Sequence, residues 1–397
     1  MRTISLIKTV KTYYHQMTVM FHSQNQQMVL RLGLIAILII AIALPVYSQN
    51  TTSNSPESIF QYLQDQANEV LEVELAFDMA YLLDNRRQEE KADAVLTFKG
   101  QDKQPQKLNL GVQLRGKFRR QVCGFPPLML KFKKKELKAM GLNDHNDIKL
   151  VTHCLEDRFA GNTNVFKEYL AYQLFNEVTD ASFKVQLVRI TYVDTEKNYM
   201  KTKRWGFIIE DTDEMAERLG GTECENCLAM SLDSLNHSNE NLISLFQYML
   251  GNEDWSSIMV RNIKIVDLPN DEKKIVPYDF DFSGFVNASY ALPNSDFGLT
   301  AVVDRVFQGY QVSDETFWEN IQLLQSKQKR FVEIIKDFKL LDGPSKKQVI
   351  AYLDTFFESI ADVEMNKPES IFDQMRAKGG DFTGAAGRLI DMTNGEQ

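Results

Sequence analysis

The residues best suited to chemistry lie in the stretch PYDFDFSG, at positions 277–284. Asp279 and Asp281 are separated by one residue, and each has aromatic neighbours. Because side chains alternate along a β-strand, a strand that ends in this pattern would place both carboxylates on one side. Two close carboxylates repel each other unless a cation lies between them, and Mg²⁺ takes oxygen ligands together with phosphate. The pattern therefore predicts a metal site, and a solvated turn at the end of a strand is the alternative.

Two polar residues before this stretch fit the same chemistry. Phosphoryl transfer needs a metal ion that neutralises charge, a carboxylate near the attacking hydroxyl and a lysine on the phosphates. Asp254 is the candidate base, and Asn262 is a candidate neutral ligand of the metal ion. Asp279 is expected to hold the ion from the strand side, while Asp281 bridges ion and nucleotide near Gly284, where the backbone can turn. Taken singly, Asp254 also fits a helix cap or turn, and Asn262 a loop amide.

The lysine that contacts phosphate has two candidates. Lys149 lies on a predicted strand and Glu168 on the helix predicted after it, so the two could form an ion pair that orients the lysine. Lys131, one predicted strand earlier, is an equal candidate. Two surface charges are the alternative interpretation of Lys149 and Glu168.

These residues must be positioned by a mixture of strands and helices. Short runs of apolar and β-branched residues bounded by polar turns predict strands, and apolar residues at helical spacing predict helices. The predicted strands are 94–98, 108–114, 128–132, 147–154, 183–193 and 204–210, with another before Asp279. The predicted helices are 59–81, 164–178, 241–250 and much of 298–376.

This order of elements predicts an α+β, two-lobed fold of the atypical protein-kinase type. A nucleotide would lie between a β-rich N-lobe with helices, spanning 49–210, and a mainly helical C-lobe, spanning 211–376. The C-lobe would carry the metal and catalytic loop. The Gly-rich residues 377–397 are expected to be a mobile tail.

The composition limits the class of partner. The chain has 397 residues, of which 44% are hydrophobic, and a net charge of −9. An acidic protein has no general electrostatic attraction for nucleic acid, so we expect no nucleic-acid partner. Basic clusters at 115–120 and 131–138 are therefore interpreted as a local anion site.

The N-terminal residues predict export. An apolar run at 32–46 follows Arg31 and precedes Ser48, which is the architecture of a secretory signal. We interpret 1–48 as the signal segment, with the true start at Met28 and cleavage after Ser48. An uncleaved membrane anchor is the alternative, and it would be the protein's one contact with a membrane. The mature chain is expected in the periplasm or outside the cell.

Export would place the four cysteines in an oxidising environment, and their even number allows all of them to pair. Disulfides are therefore plausible. Cys224 and Cys227 could also form half of a zinc site, but no second Cys/His pair at ligand spacing accompanies them. Disulfides are the favoured interpretation, and Cys154 is the candidate partner of Cys123.

The run from Gly251 to Gly284, GNEDWSSIMVRNIKIV followed by KKIVPYDFDFSG, resembles the CotH spore-coat kinase family. Members carry N-x-D, a nearby asparagine before a strand, and then P-[WY]-D-x-D followed by a small residue. Upstream, LRGKFRR is similar to the family's Arg-Gly loop, PPLMLKF to its basic strand, NVFKEYLAYQLF to its helix and RWGFIIEDTDE to its crossing strand. The resemblance covers about 108–284.

The resemblance implies a secreted atypical kinase that binds ATP and Mg²⁺ and phosphorylates serine or threonine on a protein of the cell envelope or beyond it. It adds Arg115 and Glu210 to the expected cofactor-binding residues. The sequence departs from the family at Lys117-Phe118-Arg119, where small or hydroxyl residues are usual. A catalytically inactive, kinase-like binding or assembly protein of the envelope is the alternative, and a metal-dependent hydrolase or nuclease is a third interpretation.

Overall fold

The structure, a computed structural model, describes residues 56–378. The predicted signal segment and nearly all of the predicted tail lie outside the described residues. Within this range no helix combines the length and the apolar character needed to cross a membrane.

Seven strands close a barrel. They are β1 (Leu71–Phe77), β2 (Lys91–Lys99), β3 (Pro105–Leu114), β4 (Leu128–Phe132), β5 (Asp147–Val151), β6 (Val185–Asp194) and β7 (Thr202–Ile209). The order around the barrel is β1-β2-β3-β4-β5-β7-β6, and β6 pairs with β1 to complete the circle. Neighbours are antiparallel except β1 and β6, which run parallel. Alternate side chains of β1 to β4 are buried, as a closed sheet with one filled interior requires, whereas β5, β6 and β7 also contain runs of consecutive buried residues.

The closed barrel shows that the predicted two-lobed, kinase-like fold is wrong, because that fold has an open sheet in its N-lobe. The error begins at 59–81, where apolar spacing predicted one helix. The chain instead forms a short helix, then strand β1, then a second short helix. In β1, Leu71, Val73 and Leu75 are buried and alternate with Glu72 and Glu74, which is the period of a strand. The pairing of this strand with β6 closes the barrel.

Ten described helices and three further strands complete the structure. The helices are α1 (Ile59–Asp65), α2 (Met79–Asp84), α3 (Arg119–Val122), α4 (Lys134–Ala139), α5 (Arg158–Asn176), α6 (Thr212–Arg218), α7 (His237–Leu250), α8 (Asp314–Asp337), α9 (Gly343–Ile360) and α10 (Ile371–Arg376). The strands β8 (Thr222–Glu223), β9 (Ile263–Asp267) and β10 (Lys273–Pro277) form a small antiparallel sheet in the order β10-β9-β8.

Two large apolar cores hold these elements, and Phe297 and Val306 form a small third cluster. One fills the barrel, and the other joins the helices α5, α7, α8, α9 and α10 to β9, β10 and part of β6 and β7. Helix α5 packs against strand β7 on one side and helix α8 on another, so it lies between the barrel and the C-terminal helices. Its buried length makes it a rigid support for any side chain that it presents.

Candidate active site

Three carboxylates converge on one buried arginine. The guanidinium of Arg119 forms ion pairs with Asp279, with Asp281 at 3.5 Å and with Glu168 at 3.9 Å. Arg119 is only 5% exposed, although it begins the short helix α3 in the connection between barrel strands β3 and β4. One carboxylate oxygen from each acidic residue lies within 4.8 Å of the other two. Residues far apart in sequence thus form one compact charged cluster.

The local backbone places Asp279 and Asp281 in a way that the sequence did not predict. Strand β10 ends at Pro277, and Asp279 has a left-handed conformation with φ 67°, so the two carboxylates do not converge by strand alternation. Phe280, between them, is fully buried and packs edge-on against Tyr172 with ring centroids 4.8 Å apart. The backbone N–H of Asp279 donates to the Tyr172 hydroxyl at 2.8 Å. The buried aromatic ring therefore anchors a turn whose flanking acids face Arg119.

The cluster carries more negative than positive charge. Burial raises the pKa of Asp281 to about 6, and Asp279 adds to this effect while Arg119 opposes it. Burial and the neighbouring Asp281 raise the pKa of Glu168 well above its usual range. The Tyr290 hydroxyl donates to Asp281 at 2.9 Å. One guanidinium cannot neutralise three ionised carboxylates, so the cluster takes up a proton, as the raised pKa values of Glu168 and Asp281 indicate, unless a further cation replaces that proton.

Asp254 and Asn262 form a second group at the same place. The side-chain amide of Asn262 donates to the Asp254 carboxylate at 2.9 Å and to its backbone carbonyl at 2.6 Å. Arg261 lies 3.6 Å from the same carboxylate. Burial raises the pKa of Asp254, and nearby Asp279 contributes to the rise while Arg261 opposes it. Asn262 thus contacts the candidate base rather than Asp279 or Asp281.

The turn that contains Asp281 is held against the end of helix α7. The backbone N–H of Gly284 donates to the Gly251 carbonyl, and that of Phe285 donates to the Leu250 carbonyl, each at 2.9 Å. Gly251 ends α7 in a left-handed conformation, and the segment with Asp254 follows directly. These bonds explain why two stretches that are distant in sequence share one site.

Gly284 has a packing role in the turn that follows Asp281. A Cβ atom at this position would lie 2.3 Å from the Tyr352 hydroxyl and 2.8 Å from the Val302 carbonyl. The residue is glycine because helix α9 and the 302 region approach its backbone closely.

The cluster lies at a cleft of about 920 Å³. Five residues predicted from the sequence line it, namely Arg115, Asp254, Asn262, Asp279 and Asp281. Glu168 reaches the same place through Arg119. The structure thus brings six of the nine predicted site residues together.

The other three predicted residues lie elsewhere. Lys131 pairs with Asp147 at 2.6 Å, and Glu210 pairs with Arg218 at 2.6 Å. Neither lines the cleft that contains Asp281.

Lys149 does not form the predicted ion pair with Glu168. Its ammonium donates to the Thr212 hydroxyl at 2.7 Å and lines a second cleft of about 670 Å³. Burial lowers the pKa of Lys149 to about 8, and the charges of Arg115 and Lys264 add to this effect. Arg115, which lines the first cleft, is therefore close enough to influence a lysine in the second.

Arg119 and Tyr290 are the site residues that the sequence interpretation missed. Arg119 was noted only as part of the basic cluster 115–120 and as a departure from the CotH pattern, in a position where small residues are usual. Nothing in the local sequence indicates that its side chain reaches a carboxylate 160 residues away.

The favoured disulfide interpretation is confirmed, and so is the pairing of Cys123 with Cys154. Cys123 is bonded to Cys154, and Cys224 to Cys227, so the half-zinc interpretation of the second pair is not supported. No free cysteine occurs in the described chain. Two disulfides indicate an oxidising, exported environment.

The donor atoms fit a hard divalent cation. Glu168, Asp279 and Asp281 offer only oxygen ligands, which Mg²⁺ prefers. One oxygen of Glu168, Oε1, is buried without a hydrogen-bond partner, although buried carboxylate oxygens normally have one. This atom is an independent indication of a missing positive partner.

Comparison with known proteins identifies no relative: no protein-family model matches the chain, and no curated protein matches it. The resemblance to the CotH family therefore stays a prediction, and function has to be argued from the site.

Proposed function

We propose that this protein binds Mg²⁺ and ATP in the cleft at Asp281 and transfers phosphate to a serine or threonine hydroxyl of another protein. The carrying observation is the group of Glu168, Asp279 and Asp281, whose oxygens lie within 4.8 Å of one another beside a cleft of about 920 Å³. The proposal rests on the site and does not need a kinase-like fold. The protein substrate would lie in the periplasm or outside the cell, where the mature chain is expected.

The three carboxylates would hold the metal ion. When bound, Mg²⁺ supplies positive charge that stabilises the phosphates during transfer. The unpartnered Oε1 of Glu168 and the excess of acidic groups over Arg119 support this assignment. Phe280 keeps Asp279 and Asp281 in place from the core side.

Asp254 would accept the proton of the attacking hydroxyl. It lines the same cleft, and its raised pKa makes it a better base than an ordinary aspartate. Asn262 holds the Asp254 carboxylate through a hydrogen bond of 2.9 Å. We therefore assign Asn262 to position the base, rather than to bind the metal as the sequence predicted.

Arg115 would attract the phosphates in the cleft at Asp281, and Lys149, which lines the second cleft, would act on phosphates that reach that cleft. One nitrogen of Arg115 is buried without a hydrogen-bond partner, and no carboxylate of the described chain forms an ion pair with Lys149. Each cation therefore has capacity for an anion. Lys131 is the weaker candidate, because Asp147 already neutralises it.

One observation favours the alternative of an inactive binding or assembly protein. Arg119 already occupies the centre of the carboxylate cluster, and its pKa is raised well above the usual range, since three carboxylates outweigh the effect of burial. A permanent guanidinium could replace a metal ion as a structural cation.

Melting curves with and without Mg·ATP test the proposal. Ligand that binds only the folded state raises the melting temperature, by an amount equivalent to about 2.7 kcal/mol at one hundred times Kd. The wild type should show this rise, and Asp281→Asn should lose it. The apo variant should be as stable as the wild type or slightly more so, because one of three repelling carboxylates is neutralised. Asp296→Asn, at an exposed carboxylate of the same cleft, is the matched control and should retain the rise.

A second measurement separates the two functions. Transfer of labelled phosphate from ATP to envelope proteins is expected for the wild type and not for Asp281→Asn. An unchanged wild-type melting temperature at saturating Mg·ATP would reject the enzyme. Binding without any transfer would favour the inactive alternative.

A further inference from the structure

We propose that Arg119 is a displaceable internal cation: its guanidinium closes the carboxylate cluster, and a divalent ion binds by replacing it. This inference rests on the proposed function for the location of the metal ion. It adds a regulatory contact, because metal binding is then linked to movement of the loop between β3 and β4.

The first argument is competition for space. The guanidinium of Arg119 contacts Asp279, Asp281 and Glu168 at once. A Mg²⁺ ion lies about 2.0–2.1 Å from each ligand oxygen, so an ion held by all three would lie between oxygens that are within 4.8 Å of one another. Arg119 contacts one oxygen of each of these three carboxylates. The two cations therefore compete for one position.

The second argument is the way in which the loop is held. Its ends are fixed, because the backbone N–H of Arg115 donates to the Pro127 carbonyl at 2.8 Å and Cys123 is bonded to Cys154. Between them, Phe118 is 43% exposed and touches Phe282 edge-on at 5.3 Å. A change in this segment would leave the pairing of the barrel strands intact.

The same segment contains a residue that can absorb a backbone change. Gly116 has φ 77°, a conformation that glycine adopts without strain. The backbone N–H of Arg120 donates to the Gly116 carbonyl, and the Arg120 side chain donates to the Gln88 carbonyl at 3.1 Å. Both hydrogen bonds have a neutral carbonyl oxygen as the acceptor, and such bonds are weaker than those between charged groups. The ion pairs of Arg119 are therefore the strongest electrostatic contacts of the segment.

Once displaced from the carboxylates, the guanidinium of Arg119 would be able to bind an anion in the cleft. Arg119 lines the same cleft as Arg115, so a freed guanidinium enters a space that already contains a cation with an unpartnered nitrogen. Two guanidinium groups bind phosphate oxygens well. The exchange would thus prepare the cleft for an anion at the moment when the metal ion arrives.

Binding of Mn²⁺ alone tests the exchange without any need for activity. Free Mn²⁺ is measured by electron paramagnetic resonance during titration of the oxidised protein. Arg119→Met should bind Mn²⁺ at least tenfold more tightly than the wild type, because no internal cation has to leave. Arg120→Met, the adjacent arginine of the same loop, is the matched control and should bind like the wild type. Equal or weaker binding by Arg119→Met would overturn the proposal.

Loss of Arg119 leaves three buried carboxylates without a cation, which can destabilise the protein. Melting curves therefore accompany the titration: Mn²⁺ should raise the melting temperature of Arg119→Met more than that of the wild type. Arg119→Lys keeps the charge with fewer contacts and should bind Mn²⁺ with intermediate affinity. If Arg119→Met stays unfolded with Mn²⁺ and Arg119→Lys binds no more tightly than the wild type, the exchange is rejected.

A double variant locates the ion. Adding Asp279→Asn to Arg119→Met should remove the gain in Mn²⁺ affinity, and a retained gain would overturn the proposal. The exchange and the proposed function fail in different ways. Equal Mn²⁺ binding by wild type and Arg119→Met, with an intact Mg·ATP melting shift, rejects the exchange alone. Absence of Mn²⁺ binding in both, with no Mg·ATP shift, rejects both.

Discussion

The disulfide between Cys123 and Cys154 joins the loop that carries Arg119 to the segment that leads into helix α5. Helix α5 carries Glu168, so this covalent bond connects the two sides of the carboxylate cluster. The backbone N–H of Phe125 also donates to the Cys154 carbonyl at 3.3 Å. The geometry of the cluster therefore depends on the oxidation state of a bond outside it.

Removal of this disulfide should cost more stability than removal of the other one. Cys123 and Cys154 are 31 residues apart, whereas Cys224 and Cys227 are 3 apart. The chain-entropy model then gives losses of about 3–4 and about 1–2 kcal/mol, respectively. Urea unfolding of the two double Cys→Ser variants measures both losses. Equal losses would show that local packing, and not loop length, determines the effect.

The free energy of unfolding should depend on pH through Glu240. Burial raises the pKa of this residue to about 7, although the Ser244 hydroxyl donates to it at 2.8 Å. A raised folded pKa means that the native state binds a proton that the unfolded state has already released. The stabilisation is complete below the unfolded pKa, near 4.5, and is lost as pH rises through about 7.

The variant Glu240→Gln should therefore flatten the decline in stability between pH 5 and pH 8, by on the order of 1–3 kcal/mol. Melting temperatures across this range provide the measurement. Glu315→Gln, an exposed glutamate in the first turn of α8, is the control and should leave the slope unchanged. A slope in Glu240→Gln as steep as in the wild type would assign the decline to other groups.

A substitution at Asp254 should separate the binding of Mg·ATP from the transfer of phosphate. Asp254→Asn keeps the shape of the side chain, but the neutral amide cannot accept the hydroxyl proton. The Mg·ATP melting shift should persist, while the rate of phosphate transfer falls by roughly 10²–10⁴-fold, the usual contribution of a general base. Labelled-phosphate transfer and melting curves are compared on one preparation. Transfer at the wild-type rate would remove Asp254 from the proposed chemistry.

The two lysine candidates can be told apart by matched variants. Lys149→Met should reduce the Mg·ATP melting shift, whereas Lys131→Met should not, because Lys131 is neutralised by Asp147 at 2.6 Å. The apo stability of Lys131→Met should change by less than about 1 kcal/mol, as expected for a partly exposed ion pair. Lys149→Met should not be destabilised by loss of charge, since burial already disfavours its charged form. The opposite pattern of melting shifts would assign the phosphate contact to Lys131.

Local pattern predicted many elements of the fold. Strand β4 lies at Leu128–Phe132, as predicted from the run LMLKF, and helix α7 ends at Leu250, as its apolar spacing predicted. Closure of the barrel could not be predicted in the same way. It depends on a parallel pair, β1 with β6, whose partners are far apart in sequence, and the period of β1 was mistaken for helical spacing.

The site was predictable to the extent that its residues are neighbours in sequence. Asp279 and Asp281 share one turn, and Asn262 follows Asp254 after eight residues, so their chemistry was visible. Arg119 and Asp279 are 160 residues apart in sequence, and only tertiary structure brings the two together. The same reasoning explains the failure of the Lys149–Glu168 pair, because the direction of a strand side chain cannot be read from spacing alone.

The parallel pairing of β1 and β6 also orders the assembly of the chain during export. Val73 pairs with Ile190, so β1 has no partner on that edge until the 134 residues from Pro56 to Arg189 have emerged. Contacts between such distant segments form slowly, and an unpaired strand edge is a template for aggregation. A chain translocated from its N-terminus therefore passes through a stage with β1 unprotected. A fragment that ends before Val185 keeps that edge open permanently.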